Sequence, residues 1–207
     1  MKKNLCLTLC LFVLLSGTLT GVSYAADQPA QQVVESFLST ICSMEFPVKD
    51  QARHDELASK ANQALDLEAL GRKALTDHWG EATPAQQKEF LQQLWKLIEY
   101  VAYPKSRRFM GKYEITYPEV KEVSRGVEVH SVIKQEAQAL DAKVIYHLYT
   151  KEGVWKIDDI ILDDVSIIED LQYQFDSIIK ESQFPGLLQK MKERLDQAVK
   201  ENGSAIR

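Results

Sequence analysis

The residues of this 207-residue chain that chemistry would draw on first are four histidines, three cysteines and one carboxylate in an apolar setting. His54 lies beside Asp55 and Glu56 in a polar stretch, His130 shares a strand face with Glu128 and Lys134, and His147 alternates with Lys143. These three read as solvated side chains, because none has the paired spacing of a metal site. His78 precedes Trp79 near a helix end, where the helix C-terminus favours a cation. Asp159 alternates in phase with Trp155, Ile157 and Ile161, which turns it toward an apolar layer. A carboxylate placed so is either a perturbed general base or a structural acceptor of backbone hydrogen bonds. No second catalytic group stands near it, so Trp155 and Asp159 are assigned to architecture. The sequence contains no G-x-S-x-G, H-E-x-x-H, C-x-x-C, phosphate loop or G-x-G-x-x-G. Hydrolase, zinc and nucleotide chemistry lose support, and the reading is of a protein with no catalytic residue, metal or cofactor. Lys105, Arg107, Arg108 and Lys112 form a basic cluster of the kind that meets a phosphate head group or an acidic partner, or is simply solvated.

The cysteines are explained by the N-terminus. Lys2 and Lys3 precede an apolar run over residues 5–15, and Ser23-Tyr24-Ala25 is a small-x-small cleavage pattern, so residues 1–25 read as a signal peptide for export. Ser16, Gly17, Thr18 and Thr20 break the run short of a membrane-spanning length. Cleavage removes Cys6 and Cys10 and leaves Cys42 alone, so no internal disulfide is available and the fold must stand on its core. Composition agrees with one ordinary domain, at 45% hydrophobic and 27% charged residues. The net charge of -5 with dispersed lysines and arginines argues against a nucleic-acid partner.

The elements that must position these groups follow from periodicity. Val33, Val34, Phe37, Leu38, Ile41 and Met44 form one helical stripe ending before Pro47. Leu57, Ala61 and Leu65 mark a second, and Leu67, Leu70, Ala74, Leu75 and Trp79 a third that stops at Gly80. Thr83 with Pro84 and Gln86 starts a long helix by a capping box; its stripe runs to Tyr103, and Pro104 interrupts it. From Lys112 the period becomes two, giving strands over 113–120, 127–135, 142–150 and 154–162 joined by short turns. Ser166 and Glu169 make another capping box, the helix they open is broken at Phe184-Pro185-Gly186, and a last helix leads to a frayed tail over 201–207. The chain is therefore α+β, a single domain over residues 26–200 with a twisted four-stranded antiparallel meander and helices packed around it.

Several separated blocks in this order resemble the MlaC family, also called the toluene-tolerance auxiliary family, of periplasmic phospholipid carriers. The first is Leu65-Asp66, Ala74-Leu75, Trp79, Thr83-Pro84, Gln86, Phe90 and the helix to Tyr103. The second is Trp155-Lys156-Ile157-Asp158-Asp159-Ile160 with Val165-Ser166 and Phe175; the third is Gly186-Leu187. Leu65, Thr76, Asp164 and Gln172 stand where the family usually has Phe, Gly, Gly and Arg. A branch associated with hopanoid synthesis shares similar blocks.

The resemblance implies an NTF2-like sheet and a helical part around a deep apolar cavity for acyl tails, the head group facing water. It also implies shuttling of phospholipid cargo between an outer-membrane lipoprotein and porin complex and an inner-membrane ABC transporter with an Mce-type protein, by transient docking, to maintain outer-membrane lipid asymmetry. Strand alternation and helical phase then nominate the lipid-binding residues. Ile115, Tyr117, Val129, Ile133, Val144, Tyr146 and Leu148 come from the sheet, and Leu97, Val101, Phe109, Leu171 and Phe175 close the cavity from the helices. Two other readings stay open on the residues alone: an adaptor with a filled core, and a small-cavity enzyme dependent on Asp159.

Overall fold

A computed structural model describes residues 27–110, 114–134 and 141–203, apart from the side chains of residues 27–29 and 109. The expected signal peptide, the Phe109 side chain and Lys112 lie outside the described part. Helix α1 (Asp27–Cys42) turns Ala30, Val34, Phe37, Leu38 and Ile41 inward at helical spacing and lies on the sheet against β1, β2 and β4. Helices α2 (Gln51–Asn62) and α3 (Leu67–Leu75) are each started by an aspartate. The Asp50 carboxylate accepts from the Arg53 N–H and that of Asp66 from the Ala69 N–H, which satisfies backbone donors no helical carbonyl can reach.

The stripe expected to run from Leu67 to Trp79 is cut at Thr76, whose φ of 49° ends α3, and a separate turn α4 (His78–Glu81) follows. His78 therefore opens a helix rather than closing one. Its ring meets Asp176 at 3.1 Å and Glu81 at 3.2 Å, and the hydrogen bond to Asp176 raises its pKa against partial burial.

Helix α5 (Pro84–Leu97) carries the expected Thr83–Gln86 capping box. Pro104 does not break the chain's course as expected. A π-helical turn over Ile98–Ala102 leads straight into α6 (Tyr103–Met110), the Tyr103 N–H donating five residues back to the Ile98 carbonyl. The widened turn accommodates a proline ring that has no N–H to donate.

The sheet has five strands, β1 (Glu114–Val123), β2 (Gly126–Lys134), β3 (Ala142–Lys151), β4 (Val154–Leu162) and β5 (Val165–Ser166), paired antiparallel in chain order. The short β5 is the strand that alternation alone did not reveal. Val127, Val129, Ser131 and Ile133 of β2 and Ala142, Val144, Tyr146 and Leu148 of β3 face α1, as alternation requires. Ser131 is the polar member of that face, and its hydroxyl donates to the Val144 carbonyl at 2.9 Å.

Two bulges shift phase. In β1 the register slips between Thr116 and Glu119, where Pro118 has no N–H for the ladder. In β4 it slips opposite His147 and Leu148, so Ile157 pairs with Leu148 while Ile160 and Leu162 pair with Tyr146 and Val144. Asp158 is the extra residue. The Ile157 N–H and carbonyl bond instead to Ala64 and Asp66, at 2.8 and 3.1 Å. The expectation that Ile161 continues the inner phase of Ile157 is corrected by this bulge, which gives that phase to Ile160 and Leu162; Asp159, paired with His147, still reaches the cavity.

Gly126 starts β2 with φ 115°, and a Cβ there would stand 1.9 Å from the Leu148 carbonyl oxygen. Gly126→Ala is expected to cost about 2–3 kcal/mol in urea unfolding, because both the backbone conformation and the neighbouring strand oppose it. A cost within experimental error of zero would contradict that.

Helix α7 spans Ile167–Asn202 with a kink at Gln183, φ 61°, just ahead of the Phe184-Pro185-Gly186 break expected from the sequence. It continues past Glu201, where a frayed tail was expected, because the Asn202 carbonyl accepts from the Val48 N–H at 2.9 Å and its side chain donates to the Tyr100 carbonyl at 3.1 Å. One part of the core lies between α1 and the sheet; another lies among α3, α5 and α7 around Phe90, Phe175, Ile179 and Leu187.

His54 corrects a further expectation. It is 4% exposed, because it shares the inner stripe of α2 with Leu57, Ala58 and Ala61 while its polar neighbours face out. Its ring sits edge-on to Phe46 at 5.6 Å and tilted over Tyr100 at 5.3 Å, with neither nitrogen hydrogen-bonded among the described residues. Burial lowers its pKa, outweighing the carboxylates of Glu99 and Asp55. Below the ordinary histidine pKa of about 6.5 the unfolded chain therefore takes up a proton that the folded chain resists, and stability falls with pH there. His54→Phe is expected to flatten that slope between pH 7 and pH 5 in thermal unfolding. An unchanged slope would show that His54 does not carry it.

Candidate functional site

Between the sheet, α1 and the helical layer lies a cavity of about 270 Å³. Ile133, Val144 and Tyr146 of β2 and β3 and Ile157, Ile160 and Leu162 of β4 form its sheet wall. Phe37, Leu38 and Ile41 of α1 form a second wall. Leu94, Ile98, Ala102, Tyr103, Ser106 and Met110 descend one side of α5, the π-turn and α6, and Ile167, Ile168 and Leu171 of α7 close it with Leu65 and Leu70. Each wall is an apolar stripe that the element already had to bury. They leave a hollow because α1 and the α5–α6 segment approach the sheet without filling the space between them.

The cavity opens where lining residues are exposed. Leu162 and Ile167 are 42% and 43% exposed, and Val165 between them 60%. On the helical side Ala102 of the π-turn is exposed and Ser106 of α6 half-buried, so this segment forms one lip and the β4–α7 connection the other.

Polar groups at the walls are held neutral or fully bonded. The Tyr103 hydroxyl donates to Asn62 Oδ1, Asn62 donates to the buried Glu99 carboxylate at 3.2 Å, and Glu99 also accepts from the Trp95 indole and, at 2.7 Å, from Lys96. Burial, with Glu99 nearby, raises the Tyr103 pKa far above the ordinary phenol range, and burial does the same to Tyr146. The lining carboxylate, Asp159, accepts from the Ser166 hydroxyl at 2.8 Å and the Ile160 N–H at 2.7 Å, and more weakly from the Ile168 N–H at 3.4 Å. It fixes the start of α7 and presents no aligned nucleophile or second acid among the described residues.

Of the residues nominated from sequence, Ile133, Val144, Tyr146 and Leu171 line this cavity. Val129 and Leu148 share the same sheet face but are fully packed under α1, and Ile115 and Tyr117 lie half-buried against that packed part. Burial pushes the Tyr117 hydroxyl up to about 12. Leu97 and Phe175 belong to the core among α3, α5 and α7. Val101 is turned away by the π-turn and packs with Val48, Tyr100 and Ala198. Among the lining residues that sequence reasoning missed, Ile160 and Leu162 follow from the bulge and Ser106 and Met110 lie beyond the π-turn, two phase shifts without an unmistakable local signal, while Phe37, Leu38 and Ile41 of α1 read as a buried stripe but not as a wall.

A charged cluster lies beyond the cavity on β4. Asp158 is fully buried; its carboxylate accepts from Lys73 Nζ at 2.6 Å and from His147 Nδ1, with Arg125 at 3.8 Å. His147 is thus a half-buried partner of Asp158 rather than the solvated side chain expected. Burial opposes charge on Asp158, but the bonds from His147 and Lys73 outweigh it and hold the carboxyl below its usual range. Nearby, Asp66 accepts from Tyr149 and from Lys151, and despite burial these with the Ala69 N–H hold it at about 2.

The model that defines the MlaC protein family matches residues 31–193. The chain belongs to the MlaC family. Among curated proteins none matches the sequence. A phospholipid-binding protein from Ralstonia solanacearum, solved in complex with a phospholipid, has the same fold at TM-score 0.69. It is 19% identical, and the alignment covers 84% of this chain and 98% of that one. The MlaC match takes in every wall of the cavity, from Phe37 to Leu171.

Proposed function

We propose that this protein is a periplasmic carrier of phospholipid, holding acyl tails in the apolar cavity and passing its cargo between outer- and inner-membrane complexes to maintain lipid asymmetry. The observation that carries the reading is a cavity walled by aliphatic and aromatic side chains and opening between exposed Leu162, Ile167 and Ala102. Membership of the MlaC family and the phospholipid held by the Ralstonia fold neighbour support it. Binding, rather than catalysis, is the role such a wall serves: it removes hydrocarbon from water and offers no aligned acid, base and nucleophile.

Magnitudes describe how such a carrier must work. Roughly thirty methylenes at about 0.8 kcal/mol each give a gross transfer energy of some 20 kcal/mol, so unaided release is slow and handover needs a partner that opens the cavity or competes for the tails. At about 30 Å³ per small group, 270 Å³ takes about nine methylenes. Two tails therefore require the lips to separate, and the π-turn above α6 is the place where a helix register is already relaxed. Transfer of labelled phospholipid from donor to acceptor vesicles tests this. The chain is expected to accelerate transfer in proportion to its concentration, and transfer no faster than without protein would overturn the proposal.

A further inference from the structure

The buried polar atoms without a hydrogen-bond partner among the described residues include Nε of Arg107. Such a group calls for an explanation, because desolvating a donor without a partner is costly. Arg107 follows the lining residue Ser106, and its guanidinium is close enough to Cys42, which follows the lining residue Ile41, to act on that thiol electrostatically. Arg107 is thus a half-buried residue beside the cavity wall, next to Ser106 and near the C-terminal end of α1, without itself lining the cavity. No ion pair is formed by Arg107, Lys105 or Arg108 among the described residues, whereas Arg53, Arg72, Arg125, Lys73, Lys96 and Lys151 are all paired with carboxylates. The Arg108 guanidinium reaches the Pro104 carbonyl at 3.4 Å, which leaves it tethered to its own helix.

We propose that this lip of the mouth is a phosphate subsite. The Ser106 hydroxyl and the Arg107 guanidinium bind the phosphate of the cargo's head group, with Lys105 and Arg108 adding positive field around it. The inference rests on the carrier reading and adds to it the part of the cargo recognised by polar contacts. An arginine fork and a hydroxyl suit phosphate oxygens, and a bond to an ionised acceptor at the rim of a low-dielectric cavity is stronger than one in open water. The apolar walls cannot tell a phospholipid from a neutral diacylglycerol with the same tails; this lip can.

The test is competition against a pyrene-labelled phospholipid already bound to the full mature chain. Unlabelled dioleoylphosphatidylglycerol and dioleoylglycerol are compared as competitors, with wild type, Ser106→Ala and Arg107→Gln. Wild type is expected to favour the phospholipid about tenfold, less at high salt, and Arg107→Gln to lose most of that preference while competing with dioleoylglycerol as before. An undiminished preference in Arg107→Gln and Ser106→Ala, or an equal loss toward both competitors, would overturn the subsite. Displacement of the label by inorganic phosphate alone would assign the lip to a free anion and overturn it too. Failure of the labelled lipid itself to bind is a different result, which removes the carrier reading and the subsite with it.

Discussion

Val144→Phe is expected to lower phospholipid retention roughly thirtyfold in a chain that still folds. Val144 lines the cavity near its mouth and pairs with Leu162, so a phenyl group there extends into space rather than into packed atoms. It takes up the room of two to three methylenes, which at about 0.8 kcal/mol each is about 2 kcal/mol of tail burial. The same substitution at Val129 makes the control. Val129 is completely buried on the same sheet face but away from the cavity, so its ring must displace packed neighbours and the loss appears as stability instead. Retention is read by solvent extraction of protein purified without detergent, and folding by thermal unfolding. Equal retention by Val144→Phe and wild type would show that tails do not occupy this space.

The largest expected effect on stability comes from Asp158→Ala. The substitution leaves Lys73 and His147 facing a buried site with no anion, a change that costs about 3 kcal/mol, at the low end for a broken buried pair because Lys73 is partly exposed. For a chain of this size that is a fall of roughly 10 °C in Tm. The pH dependence gives a second signature. The folded carboxyl lies below its unfolded value, so its contribution is complete above the unfolded pKa of about 3.9 and is lost as pH falls through the folded one. Asp66, held at about 2, acts in the same acid window. Asp158→Ala should therefore reduce stability strongly at pH 7 and by much less near pH 2. A deficit that stayed constant across that range would mean that packing, not charge, is what Asp158 supplies.

How far the sequence reveals the site can be seen along the sheet. Strict alternation in β2 and β3 places Ile133, Val144 and Tyr146 correctly on the inner face, since a pleated strand leaves no other choice. In β4 the same rule fails after Ile157, because the bulge at Asp158 adds one residue and hands the inner face to Ile160 and Leu162. The helices behave alike. Leu171 follows the regular phase of α7 into the cavity, whereas Val101 lies in the π-turn and is carried to another part of the core. The capping box at Thr83 and the N-cap at Ser166, where only the Glu169 N–H bond of the expected box forms, mark their helix starts correctly because a local hydrogen bond decides them. Which part of an apolar face is hollow is not local. Val129 and Val144 are the same residue type on the same face, and only what packs over each separates the packed one from the lining one.

The measurement that tests the central claim most directly is native mass spectrometry of the chain from Asp27 onward, purified without detergent, followed by solvent extraction of whatever it carries. The account predicts one phospholipid per chain, with adduct mass matching the extracted lipid and diminished in Val144→Phe. A lipid-free chain that also takes up no added phospholipid would contradict it, and would leave the cavity between α1, α6 and the sheet without the cargo that explains its shape.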